Sequence, residues 1–215
     1  ISLVNSDIFN LNSVLIDDNI ATKLNPKIKL DFGGMLKGYA SEKAKDILNK
    51  NGYFNGYVNV GGSSLTLLEI NSLFVRHPEH NASNILFVNT VGQKNISLST
   101  SGTYERYYEY ENKTYHHILN AKTGNPANTN ILCATMFGKD GAFCDAMTTA
   151  LILSSFEKDN DNCELVNLIN KIISYDSNCQ IYVVYNEGEN KLLITNKEQG
   201  INFTLLDTSY SVYKV

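Results

Sequence analysis

Apolar and polar positions along the chain follow two periods, and the switches between them mark the elements. Alternation with period two predicts short strands at Asn12–Asp17 and Lys27–Phe32. Further strands are predicted at Tyr57–Val60, Ser64–Ile70, Leu73–Arg76 and Ile85–Thr90. Ile96–Gly102 leads into an aromatic, hydroxyl-rich hairpin, Thr103–Tyr108 and Thr114–Leu119, turning at Asn112. Ile131–Phe137 reads as a strong strand, and a last hairpin pairs Gln180–Tyr185 with Lys191–Thr195 across Gly188, with an edge strand near Phe203.

Helical periodicity takes over three times. After Gly33 and Gly34 the pattern predicts a helix to about Asn51, closed by Gly52, with Met35, Leu36, Tyr39, Ala40, Ala44, Ile47 and Leu48 as its buried stripe. A second helix spans Ala142–Ser155, where the run Ala150–Leu153 predicts deep burial, and a third lies between Cys163 and Ser174. Runs of strands separated by single helices define an α+β fold, and 215 residues suit one large domain or two closely packed subdomains. Neither an internal repeat nor a low-complexity linker interrupts the chain.

Charge narrows the functional classes. A net charge of −4, with Lys and Arg scattered, argues against a nucleic-acid surface, which needs a basic stripe. No apolar run has the length that crosses a bilayer. The chain begins Ile1-Ser-Leu-Val, with neither initiator Met nor signal peptide, as expected of a processed or trimmed start. Cys133, Cys144, Cys163 and Cys179 lack C-x-x-C spacing. Cys133 and Cys144 read as small buried core residues, while a disulfide involving Cys163 or Cys179 stays open.

Candidate chemistry gathers in a few places. Asp145 and Thr149 are four apart near the start of the second helix, so their oxygens project from one face. A carboxylate beside a hydroxyl suits a hard cation such as Mg2+, although an isolated pair of this kind is ordinarily an Asp near a helix start with a back-bonded Thr. Gly33 and Gly34 precede a helix N-terminus, which attracts anions. Lys37 in its first turn opposes the dipole, and reads either as a surface lysine or as one offered to a bound anion. Gly61-Gly62 is a turn, or a place where a ligand approaches the main chain. His77 and His80 read as loop residues. His116 and His117, adjacent on a strand, point to opposite sides.

Five ordered segments then resemble one family: Asp31-Phe-Gly-Gly-Met-Leu-Lys-Gly-Tyr-Ala40, Asn59-Val-Gly-Gly62, Thr100-Ser-Gly-Thr-Tyr-Glu-Arg106, His117-Ile-Leu-Asn-Ala-Lys-Thr-Gly124 and Asp145-Ala-Met-Thr-Thr-Ala150. Their order and spacing are similar to those of the ApbE family of FAD:protein FMN transferases, from Asp31 to Ser155. The resemblance implies an α+β architecture of antiparallel and mixed sheets with packed helices, related to the T-fold. It implies a single flavin transferase domain over 1–215, without the substantial segment that family members carry before the Asp31 motif.

The implied activity is Mg2+-dependent cleavage of the FAD pyrophosphate. FMN passes to a Ser or Thr hydroxyl of an acceptor flavoprotein, and AMP leaves. Asp145 and Thr149 would ligate the metal, with backbone carbonyls near Gly34 and Thr148 completing the shell. Gly33, Gly34 and Lys37 would hold the phosphates, with Lys37 and Asp145 also serving catalysis. Asn59, Gly61, Gly62, Thr100, Ser101 and Gly102 would line the FAD pocket, joined by Thr123 and Gly124. His117 matches the family's essential histidine and is the candidate general base on the acceptor hydroxyl.

Alternatives within the same resemblance are an FAD pyrophosphatase releasing free FMN, or a non-catalytic FAD-binding module. Such proteins are mostly lipid-anchored outside the bacterial cytoplasmic membrane. The sequence departs from the family pattern at Asn120-Ala121-Lys122, where Asp-Pro-Arg is common, at Ser63, where an acid often stands, and at Leu36, where a small residue is common. Lys for Arg removes a planar, fixed donor.

Overall fold

The computed structural model describes residues 11–80, 82–111, 113–196 and 201–215. Three layers make up the fold. A seven-stranded sheet lies in the middle, helices cover one face, and a three-stranded sheet covers the other.

In chain order, β1 (Val14–Asp17) and β2 (Ile20–Lys23) form an exposed hairpin. Then come α1 (Leu36–Lys50), β3 (Gly56–Val60), β4 (Ser64–Glu69), β5 (Ser72–Arg76) and β6 (Asn84–Asn89). They are followed by β7 (Lys94–Gly102), β8 (Tyr107–Tyr110), β9 (Lys113–His116) and β10 (Ile131–Gly138). The chain closes with α2 (Gly141–Leu153), α3 (Glu164–Tyr175), β11 (Gln180–Glu187), β12 (Asn190–Thr195), β13 (Asn202–Leu205) and β14 (Ser211–Lys214).

The central order is β14-β12-β11-β10-β7-β4-β3, with only the β12–β14 pair parallel. The smaller sheet runs β13-β6-β5, so the tail near Phe203 supplies its edge strand. Alternation along the central strands separates two apolar cores. Ala134 and Met136 of β10 join Leu151, Ile152, Leu165 and Ile169 beneath α2 and α3. Cys133 and Phe137 face the smaller sheet with Val75, Leu86, Val88 and Tyr182.

Under α1 and the start of α2 the central sheet is polar. Ile96 and Leu98 of β7 face the smaller sheet, while Ser97, Ser99 and Ser101 alternate with them on the helical side. Ser41 of α1 bonds Thr66 at 2.9 Å, and Thr66 bonds Ser97 at 3.0 Å, all buried. Small hydroxyl side chains let the helices lie close and satisfy one another without a charge.

Several expectations are corrected here. Lys27–Phe32 is not a strand; it runs without regular structure into the turn before α1. The stripe assigned to α1 faces outward: Leu36, Tyr39 and Ile47 are 52%, 48% and 62% exposed, and Met35 is exposed too. The buried positions are Gly38 and Ser41, where a helix crossing and a hydroxyl-lined sheet select small residues, and Lys45, whose ammonium pairs with Asp46 at 2.9 Å. His77 is a loop residue, yet it is buried. Its Nδ1 accepts the Glu79 N–H (3.1 Å), so its Nε2–H donates to Asp207 (3.0 Å), tying the loop after β5 to the turn before β14. His80 lies tilted against its ring, and His77, His80 and Asp207 bring one ligand atom each within 4.8 Å of one another. All four cysteines are free and buried. The expected turn residue Asn112 lies outside the described residues.

Candidate active site

The site grows from the crossing of α1 and α2, whose early turns run antiparallel in direct backbone contact. A Cβ at Gly38 would sit 1.9 Å from the Gly141 carbonyl oxygen, and one at Gly141 would sit 2.4 Å from the Gly38 oxygen. Only two glycines allow this approach.

Each helix then caps the other. Asp145 of α2 accepts the Gly38 N–H through Oδ2 (3.1 Å), and Glu42 of α1 accepts the Gly141 N–H (2.7 Å). Both amides lie in first turns, where no intrahelical acceptor exists, and a carboxylate there also meets the positive end of the dipole. Asp140 completes the α2 cap by accepting from Phe143 (2.8 Å). Neither Glu42 nor the glycine pair is readable from local sequence, since both depend on the crossing.

Asp145 is only 2% exposed, with its second oxygen, Oδ1, 3.7 Å from Lys37 Nζ. Lys37 also donates to the Gly33 carbonyl (3.3 Å), and its stem lies along Gly61. Gly61 and Gly62 have φ of 66° and 76°, a left-handed pair that Asn59 holds by accepting the Gly62 N–H (2.9 Å). Asp31 likewise fixes the entry to α1 by accepting from Gly33 (2.7 Å).

Hydroxyls fill the other side. Ser101 Oγ bonds Thr148 Oγ1 (2.9 Å) and Thr149 Oγ1 (3.1 Å). A Cβ on Gly34 would stand 3.9 Å from Thr149 Oγ1, so the Gly34 backbone passes beside it. The back-bonded threonine is Thr148, which donates to the Asp145 carbonyl (2.9 Å); Thr149 is free of that bond. A buried carboxylate, three hydroxyls and nearby carbonyls form an all-oxygen donor set, which fits a hard divalent cation.

The structure thus brings together Gly33, Gly34, Lys37, Gly61, Ser101, Asp145, Thr148 and Thr149. Thr100 bonds Thr135 (2.9 Å) on the opposite face of β7 and lines a cleft between the two sheets. That cleft, about 340 Å³, opens at Gly61 and Gly62 and is walled by Leu65, Val75, Leu98 and Tyr104. Arg76 spans its rim, paired with Glu105 and lying over the Tyr104 ring. Tyr104 and Arg76 are additions that sequence reasoning missed.

His117 is exposed at the base of the β8–β9 hairpin. Its Nδ1–H donates to the Arg106 carbonyl (3.2 Å), which leaves Nε2 free to accept a proton. Register places Arg106 opposite His117, with the stacked Tyr108–Tyr115 pair on the same face (centroids 5.1 Å apart). His116 points the other way and donates from Nε2 to Ala127 (3.0 Å); burial lowers its pKa. Among the described residues no hydrogen bond or ion pair joins His117 to Asp145 or Lys37. Thr123 and Gly124 lie in the turn after His117, where both amides bond the Asn120 carbonyl. There Asn120 Oδ1 accepts the Lys122 N–H (2.9 Å), so Asn shapes the turn where the family pattern has Asp.

Two antiparallel helices crossing on a pair of glycines, over a hydroxyl-lined sheet and beside a glycine turn, define the class of fold. The chain belongs to the ApbE family, which it matches over residues 2–170. It is 28% identical over 201 residues to the FAD:protein FMN transferase of Klebsiella pneumoniae (strain 342), covering 93% of this chain and 58% of that protein. It is 32% identical over 138 residues to the enzyme of that name from Buchnera aphidicola subsp. Baizongia pistaciae, covering 62% and 40%. The crystal structure of the ApbE protein of Thermotoga maritima superposes with a TM-score of 0.64 at 26% identity, over 81% of this chain and 54% of that one. The Pseudomonas stutzeri flavinyl transferase ApbE, apo form, shares the fold with a TM-score of 0.63 at 22% identity, covering 90% and 54%. The chain spans 40–58% of the length of these two curated relatives.

Proposed function

We propose that this protein is a Mg2+-dependent FAD:protein FMN transferase. The observation that carries the reading is the buried Asp145 carboxylate, with one oxygen on the Gly38 amide and the other facing Lys37 beside a left-handed glycine turn, on a helix whose Thr148 and Thr149 hydroxyls bond Ser101. Asp145 and Thr149, with carbonyls near Gly34 and Thr148, would hold Mg2+. The ion would polarise the pyrophosphate and neutralise the charge that develops on it.

The chain's own residues supply the rest. Gly33, Gly34 and Lys37 receive the phosphates at the start of α1. The cleft beyond Gly61 and Gly62 is large enough for one aromatic half of the dinucleotide, and its volume falls in the usual range for ligand pockets. His117 Nε2 takes the proton from a Ser or Thr hydroxyl of the acceptor flavoprotein as that oxygen bonds to the FMN phosphorus. The bond between that phosphorus and the bridging oxygen breaks, and AMP leaves with the oxygen. Location outside the cytoplasmic membrane, on a lipid anchor, belongs to the same proposal and rests on family resemblance alone. No helix among the described residues is long and apolar enough to cross a membrane.

The test is incubation of the protein with FAD, Mg2+ and a Ser/Thr-bearing acceptor. AMP should appear together with a fluorescent, covalently flavinylated acceptor. AMP with free FMN alone would replace this reading by a pyrophosphatase. Bound flavin without turnover would leave only a binding module.

A further inference from the structure

Lys37 occupies an unusual position for a residue expected to bind phosphate. Its ammonium donates to the Gly33 carbonyl (3.3 Å) and lies 3.7 Å from Asp145 Oδ1. Asp145 Oδ2 is already committed to the Gly38 N–H, so Oδ1 is the oxygen left to face a cation. The Asp145 side chain is 3% exposed and that of Lys37 38%, so the carboxylate is fixed while the ammonium reaches it from the surface. The stem has room because Gly61 has no side chain; a Cβ there would lie 3.3 Å from Lys37 Cδ.

An ammonium held between the Gly33 carbonyl and the Asp145 carboxylate sits among the oxygen donors a hard metal ion prefers. A buried carboxylate left without a cation is costly. Yet an ammonium and a divalent ion sharing one carboxylate oxygen repel strongly at this range.

We propose that Lys37 is a stand-in cation: it neutralises Asp145 in the metal-free protein and must leave Oδ1 before a divalent ion takes that oxygen. Release requires an anion for the ammonium to follow, and a diphosphate-bearing nucleotide at the start of α1 supplies one. Metal and dinucleotide therefore bind as a coupled pair, each raising the affinity of the other by the same factor. The inference rests on the metal reading of Asp145.

Titration with Mn2+ alone, followed by electron paramagnetic resonance, separates the two ideas. Lys37→Gln should bind Mn2+ more tightly than the unmodified protein, by about 5- to 150-fold, the usual span of coupling between sites. Lys37→Arg, which keeps the charge, should remain weak, and Lys37→Gln combined with Asp145→Asn should lose the gain. Thermal melting of each variant confirms folding. Equal or weaker Mn2+ binding by Lys37→Gln, abolished by Asp145→Asn, would overturn the stand-in role and leave the metal site standing. Absence of saturable Mn2+ binding in every variant would remove the metal site and the proposal with it.

Discussion

The α1–α2 crossing and the β8–β9 hairpin carry the two halves of the proposed chemistry, and they are built in opposite ways. At the crossing, backbone touches backbone, Asp145 is 2% exposed, and two helix ends share acceptors. At the hairpin, two strands of four residues pair with no other strand among the described residues, Tyr107, Tyr108 and Tyr110 are exposed, and His117 is held by its bonds to Arg106. An isolated pair of strands is marginally stable on its own. On the proposed reading, the groups that fix charge geometry lie in the buried crossing, and the group that would meet an acceptor is exposed.

Substitutions sharpen this contrast, beginning with the most damaging. Gly38→Ala forces a methyl to 1.9 Å from the Gly141 oxygen, so the helices must part; a loss of about 3 kcal/mol or more is expected in denaturant unfolding. Asp145→Ala strips the Gly38 amide of its acceptor inside the protein and should cost about 1–3 kcal/mol, read in the same way. Should this variant melt like the parent, the mutual capping would carry no stability.

A smaller effect arises from His116. Burial lowers its pKa below the ordinary 6.5, the charge of His117 adds to this, and the bond to Ala127 opposes it. The unfolded chain therefore takes up a proton near pH 6.5 and the folded one only below that. Stability falls as pH drops through 6.5 and levels off once the folded form is also protonated. His116→Gln should flatten that slope in melting curves taken across pH 5 to 7, a window chosen around the ordinary histidine value.

Last, His117→Ala should leave unfolding within about 0.5 kcal/mol of the parent, since the side chain is exposed. Acceptor flavinylation should nonetheless fall by roughly 10²–10⁴. A large stability loss here would erase the distinction between the two regions.

Much of this was legible in the chain. Period-two patterning located β3 to β7 and β10 to β12, and helical patterning located all three helices, although only α2 and α3 bury the apolar face that the pattern marks. Ordered motifs identified Gly33, Gly34, Lys37, Ser101, Asp145 and Thr149, which the fold brings together. What was not legible depended on contacts between distant segments. The apolar side of α1 looked like its core side because periodicity reports a face, not which way it turns. Nothing in the local sequence marks Gly141 or Glu42, which the crossing pairs with residues about a hundred positions away. Lys27–Phe32 alternated properly, yet it pairs with no strand among the described residues.

The sealed thiols have a practical use. Burial pushes Cys133 and Cys179 up to about 12 and raises Cys144 as well, so each stays protonated and unreactive while its layer is shut. Cys133 sits between the two sheets, whereas Cys144 and Cys179 flank Gly138 under α2. An alkylating reagent therefore meets internal clocks set at different depths: the tagging rate at Cys133 times the parting of the sheets, and that at Cys144 times the lifting of the helical lid.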